Sequence, residues 1–279
     1  MEARLNEHDW LETKNATVAV ATCTVRRLKR VNFKDHFSGH SPDYSAYRPQ
    51  YPADLFTRLA ALCSENHLAW DCATGSGQAA VSMAQHFDHV IATDASDNQI
   101  SHATACPTVE YRIATAENSG LAPNSIDLIS VAQAVHWFDI EAFAAEVVRV
   151  LKPDGVLAVW TYTDISISTE LDEPLDRFHA DIVADYWPPE REMVDNSYAD
   201  IDFPLEPIPF DALQMHADWN LAGLLGYLNT WSSVKAYQRK HGRNPVDLIQ
   251  DELVQHWGAP ARVREATWPL IVKAWRKPA

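Results

Sequence analysis

Residues 69–80 read AWDCATGSGQAA. A short apolar run ends in a carboxylate, Asp71, and a tight loop carrying Gly75 and Gly77 leads into an alanine-rich, helix-favouring segment. Strand, acid, glycine loop and helix in that order is how an α/β fold brings backbone amides close to an adenosine-containing ligand. The segment Gly75-Ser-Gly-Gln-Ala-Ala80 fits G-x-G-x-x-A, a pattern that dinucleotide-binding proteins also carry. The acid discriminates. A carboxylate four residues before the first glycine would repel a pyrophosphate, whereas it suits a ligand with an ammonium group and no phosphate. S-adenosylmethionine has those properties. The alternative is an ordinary strand-to-helix turn.

Outward from the loop, residues 68–161 alternate β-like and helical runs. Strands are expected at 68–73, 89–93, 109–113, 126–132 and 156–161, and helices at 78–87, 96–105 and 139–151, with Ser96 and Asp139 as N-caps. The fourth strand, IDLISVA, is almost continuously apolar, as in a strand covered on both faces. Short connections between alternating elements predict a doubly wound, mostly parallel α/β sheet with its ligand edge at the strands' carboxyl ends. Residues 152–155 (KPDG) read as a turn. Further on, helices are expected at 171–187, 221–237 and 246–257, a strand at 210–219, and a last strand at 267–276 where Pro269 suggests an edge or bulge.

The chain has 279 residues, a formal net charge of −15 and four widely spaced cysteines without zinc-ligand spacing. The acidic balance argues against phosphate-driven nucleic-acid binding, and no apolar run approaches a membrane span. A reduced, metal-free cytoplasmic protein is the simple expectation. Residues 1–31 read as a poorly packed extension, with a basic docking segment at RRLKR (26–30) as the lesser reading. Residues 32–279 read as one domain: a cofactor-binding core at 68–161, a substrate-side cap from 35–52 and 162–266, and the final strand.

Asp94, ending the second strand as VIATD, can accept hydrogen bonds from ribose hydroxyls or can serve as a turn residue. After the third strand, Ala116 and Glu117 could meet an adenine edge, the alternative for Glu117 being a solvated acid. His136, in His-Trp-Phe after the fourth strand, is a candidate base or orienting group; packed beside Trp137 it would be structural. Tyr44, Tyr47 and Arg48 could form a lid in which Arg48 clamps a carboxylate, against the plainer reading of a surface ion pair. Trp231, Ser232 and Tyr237 could close the pocket from the other side or could be core.

Taken in order and spacing, AWDCATGSGQAA, VIATD, TAEN, SIDLISVAQAVHWF and VVRVLKPDGVLAVW resemble the class I S-adenosylmethionine-dependent methyltransferases. Within them the chain is most similar to the type 11 group that includes trans-aconitate methyltransferase-like enzymes. DHFSGHSPDYSAYRPQYP (35–52) resembles that group's N-terminal signature and GYLNTWSSVKAY (226–237) its C-terminal insertion, so the resemblance covers about residues 33–277. It implies a Rossmann-like seven-stranded sheet whose last strands include an antiparallel hairpin. It assigns Asp71, Ala73, Gly75 and Gly77 to the methionine end of S-adenosylmethionine, Asp94 to the ribose, Ala116 and Glu117 to the adenine, and Gln133 and Ala134 to the lining of the transferred methyl. Ala73 departs from the pattern, standing where the family has its first glycine. The function expected is methyl transfer to a small molecule. A carboxylic acid is one candidate acceptor, because a carboxylate is already ionised and needs no base. The rival readings are an NAD(P)-dependent oxidoreductase and a non-catalytic cofactor-binding module.

Overall fold

A computed structural model of the chain describes residues 47–279. Tyr44, the extension at 1–31 and most of the 35–52 signature lie outside the described residues. No helix among the described residues is long and apolar enough to cross a membrane.

The first half alternates as its sequence predicts. Helix α1 (Ala53–Leu62) precedes β1 (Leu68–Cys72), α2 (Gln78–Met83), β2 (His89–Asp94), α3 (Asp97–Ser101), β3 (Val109–Ile113), β4 (Ile126–Ala132), α4 (Ile140–Val150) and β5 (Leu151–Tyr162). Both expected caps form: Ser96 Oγ accepts from Gln99 N at 3.4 Å and Asp139 Oδ1 from Ala142 N at 3.1 Å. β1 to β5 are mutually parallel, and β4 is buried along nearly its whole length.

The second half is built differently. It contains α5 (Thr169–Arg177), α6 (Arg191–Asp195), β6 (Glu206–Ile208), β7 (Leu213–Trp219), α7 (Leu221–Asn229), α8 (Ser232–His241), α9 (Gln250–Trp257) and β8 (Arg264–Arg276). β8 runs antiparallel to β5 through residues 270–276, and its other edge carries β6 and β7 one after the other. The sheet has eight strands, but its order β3-β2-β1-β4-β5-β8-β6, with β7 also on β8, gives seven positions across. The segment 162–266 therefore supplies two strands of the main sheet as well as covering helices.

Three local expectations change. The expected KPDG turn lies inside β5 as an irregularity: Ile126 pairs with Leu151 and Leu128 with Val156, and Asp154 takes up the extra chain with φ +61°. The single helix expected at 221–237 is two. Thr230 ends α7 by donating both N–H and Oγ1 to Tyr227 O, at 2.9 and 2.6 Å, and Trp231 is extended before α8 begins. The helix expected at 171–187 ends at Arg177 and widens into a π turn, Phe178–Ile182, in which Val183 N reaches Phe178 O at 3.1 Å. Pro174 lies inside α5 and cannot donate to the helical ladder.

The core occupies both faces of the sheet. One side gathers Leu55, Leu59, Met83, Trp160, Leu224 and Trp268; the other gathers Trp70, Ile129, Phe143, Val147 and Trp275. These are large apolar groups removed from water, each contributing roughly 1.5–3 kcal/mol.

Candidate functional site

The loops after β1, β2, β3 and β4 converge at one edge of the parallel sheet. Asp71 lies in β1 opposite Ser130 of β4 and is wholly buried. Its Oδ1 accepts from Ser130 Oγ at 2.6 Å and its Oδ2 from Thr74 Oγ1 at 2.5 Å. Burial pushes its pKa up to about 6, against the pull of these donors. The carboxyl expected to face an ammonium group joins β1, β4 and Thr74.

The loop itself is left-handed at three positions: Ala73 at φ +56°, Gly75 at +56° and Gly77 at +88°. Ala73 keeps the backbone shape that glycine would take without strain. The two glycines serve different ends. A Cβ on Gly75 would meet nothing within 4 Å, so its Cα faces open space. A Cβ on Gly77 would fall on Tyr111 Oη, so this glycine admits a tyrosine of β3.

Asp94, at the end of β2, ties the loops together. Its Oδ2 accepts from Gly75 N at 2.9 Å and its Oδ1 from Ser96 N at 2.8 Å. The turn role and a place beside Gly75 thus coincide. After β3, Ala116 is buried, while half-buried Glu117 accepts from Asp139 N at 3.2 Å. This loop is pinned from below by Glu146 of α4, which accepts from Ser119 N at 2.9 Å and pairs with Arg149 Nε at 2.7 Å. Burial pushes the Glu146 carboxyl up, but Arg149 and Ser119 outweigh it and hold it below the usual carboxylate range.

Past β4, Gln133 has φ +55°, an uncommon conformation for a non-glycine residue. Its Nε2 donates to Tyr162 O at 3.2 Å and its Oε1 accepts from Thr161 Oγ1 at 2.7 Å, locking the end of β4 to the end of β5. Ala134 is buried. His136 Nδ1 lies 2.8 Å from the hydroxyl of Tyr198, and its ring packs on Trp137 with centroids 4.7 Å apart. Burial first, and then the charge of Arg191, push the His136 pKa down to about 3. At neutral pH it is an uncharged imidazole of low basicity, which disfavours the general-base role and suits an orienting one. Tyr198 and the preceding Ser197 are both left-handed at φ +54°, so strained backbone holds this pair.

The two distant sequence segments meet. Tyr47 packs against Gly226 of α7, where an added Cβ would lie 2.4 Å from its ring. Arg48 donates to Tyr162 Oη at 2.7 Å and to Thr230 O at 3.5 Å, with its guanidinium 5.6 Å from the Tyr227 ring centroid. Trp231 and Tyr237 are buried. Trp231 packs among Phe178, His179, Trp187 and Tyr227, and Tyr237 lies against Tyr186 and His241. Both form the interior of the cap, the bland alternative of their sequence reading. Ser130, Thr74, Tyr198 and Arg191 were not singled out by sequence. Ser130 alone left a signal, as a lone hydroxyl in an apolar strand.

The Methyltransf_11 family model, described as a methyltransferase domain, matches residues 70–159. A Dictyostelium discoideum protein with a provisional methyltransferase name is 33% identical over 227 residues, spanning 80% of this chain and 86% of its own. A solved structure from Anaeromyxobacter dehalogenans, provisionally titled a type II methyltransferase, superposes with a TM-score of 0.79 at 39% identity, covering 83% of this chain and 99% of that one. Saccharomyces cerevisiae CRG1, provisionally named an S-adenosylmethionine-dependent methyltransferase, is 30% identical over 132 residues, 44% of this chain and 45% of CRG1.

Proposed function

The chain belongs to the S-adenosylmethionine-dependent methyltransferases, and from that premise we propose that it O-methylates a small-molecule carboxylic acid. Its cofactor is S-adenosylmethionine. The observation that carries the site assignment is Gly75: its Cα faces open space while its amide is held by the Asp94 carboxylate. In this reading Ala73 and Gly75 offer backbone to the methionine end, with Asp71 fixing the loop from below through Thr74. Asp94 takes the ribose. A carboxylate accepts about four hydrogen bonds, so it can serve the loop and a ribose together. Ala116 and Glu117 border the adenine, and Gln133 and Ala134 border the reacting methyl.

When bound, the cofactor supplies an electrophilic methyl on a sulfonium. The chain's own task is then proximity, orientation and exclusion of water, worth roughly 7–11 kcal/mol in favourable systems. His136, pushed down to about 3, is poorly matched to proton abstraction from an alcohol or a carbon acid. A carboxylate needs no such step, which supports the acid as acceptor. The test is methyl-ester formation from a panel of mono-, di- and tricarboxylic acids, set against matched alcohols and amines. Esters from acids alone support the reading, and turnover confined to amines or alcohols overturns it.

A further inference from the structure

Beside the carboxyl end of β5 lies a cavity of about 540 Å³, within the range of small-ligand pockets. Thr163, His179, Ala184, Trp187, Pro188 and Arg191 are its half-buried lining residues. Arg191 opens α6, which packs on the 3₁₀ turn Val135–Trp137 that follows β4. Its charge is felt at His136, so the cavity adjoins the edge already described.

The guanidinium of Arg191 is held in a fixed plane. Its carbon lies 4.5 Å from the Trp187 ring centroid, and its Nε donates to Asp195 Oδ1 at 2.7 Å. Among the described residues no hydrogen bond is made by its two terminal nitrogens, and neither is sealed from solvent. A planar cation, stacked and tethered through Nε, presents its Nη fork without further ordering cost, and a carboxylate matches that fork with two parallel hydrogen bonds. Arg48, the clamp expected from sequence, instead bonds Tyr162 and Thr230.

The rim has the opposite sign. Asp164 and Asp195 are 57% and 46% exposed, Glu192 is also exposed, and Arg191 is only 21% exposed. A ligand with one carboxylate can place it on Arg191 and turn an apolar body toward Trp187 and Pro188. A second or third carboxylate would face the acidic rim, where like charges repel.

We infer that Arg191 is the carboxylate-binding residue of the acceptor site and that this cavity takes an apolar monocarboxylic acid. The inference rests on the carboxylic-acid reading above and narrows it. The test is titration calorimetry on the full chain with S-adenosylhomocysteine present. The probes are 3-phenylpropionate, 2-phenylethylamine and propane-1,2,3-tricarboxylate, on the wild type, Arg191→Gln and Arg191→Lys. In the wild type, 3-phenylpropionate binds at least tenfold more tightly than either other probe. It weakens at least tenfold in Arg191→Gln and recovers in part in Arg191→Lys. S-adenosylhomocysteine affinity stays within twofold in both variants, which reports an intact fold. Equal 3-phenylpropionate binding by the wild type and Arg191→Gln overturns the role of Arg191 and leaves the carboxylic-acid reading standing. Tighter binding of the amine, or no carboxylate binding while S-adenosylhomocysteine binds, overturns both.

Discussion

At the edge made by β1, β2 and β4, polar side chains pair with one another and with backbone: buried Asp71 with Ser130 and Thr74, buried Trp70 Nε1 with Thr93, and half-buried Asp94 with the amides of Gly75 and Ser96. In the cap, from α5 to α8, rings pack on rings, and the buried atoms Trp187 Nε1, His179 Nε2 and Ser233 Oγ find no hydrogen-bond partner among the described residues. The first region has its geometry over-determined by directional bonds. The second relies on non-directional aromatic contact and tolerates orphaned donors, each costing roughly 1–3 kcal/mol. A fixed edge suits the cofactor, and a softer cap suits the acceptor side.

The sharpest way to break this contrast is to disturb one glycine on each side. Gly77→Val places a side chain on Tyr111 at φ +88° and should cost about 3 kcal/mol or more in chemical denaturation. Adding Tyr111→Phe, which removes the Oη 2.2 Å from the new Cβ, should return part of that loss. A Cβ at Gly226 has the Tyr47 ring as its nearest neighbour, down to the Cγ at the ring's root, so the whole ring must swing aside, but the backbone there is ordinary helix. The loss of unfolding free energy in Gly226→Ala should be smaller than that of Gly77→Val, because alanine favours the helix by about 1 kcal/mol over glycine and offsets part of the clash. The acceptor KM should rise while that of the cofactor holds. A loss at Gly226 as large as that at Gly77 would remove the distinction.

Asp71 sharpens the comparison through pH. Its folded-state pKa is raised from 3.8 to about 6, so the folded state holds the proton more tightly than the unfolded chain between those values. This group's contribution to stability is therefore full below about pH 4 and is lost as pH rises through about 6. Asp71→Asn removes the titration. The stability of the variant relative to wild type should climb by on the order of 3 kcal/mol between pH 4 and 7, read from paired denaturant melts. A flat difference would mean that Asp71 titrates normally. The smallest effect belongs to Ala73→Gly, which relaxes φ +56° and should stabilise the loop by about 0.5–1 kcal/mol.

How far the sequence was legible follows the same division. The strand series, Ser96, Asp139 and the glycine loop were readable because each depends on neighbours within a few residues. The role of Gly77 was not, since it depends on Tyr111, brought alongside only when β3 joins β2. The bond from Ser130 to Asp71 was not legible either, since Ser130 comes from a strand 59 residues away. In the cap, α5 passes into a π turn and α7 breaks at Thr230, so apolar spacing lost its period there. Arg191 left no trace in a stretch of mixed charge. It became visible only once Trp187 and Asp195 fixed its plane.

The central claim is that Asp94 holds both the glycine loop and the cofactor. Titration calorimetry of S-adenosylhomocysteine on wild type and Asp94→Ala tests it most directly. Loss of a charged acceptor, worth about 1.5–3 kcal/mol, predicts affinity roughly ten- to a hundredfold weaker in the variant, with cooperative unfolding retained. Unchanged affinity in Asp94→Ala, or no binding to the wild type, would contradict the account.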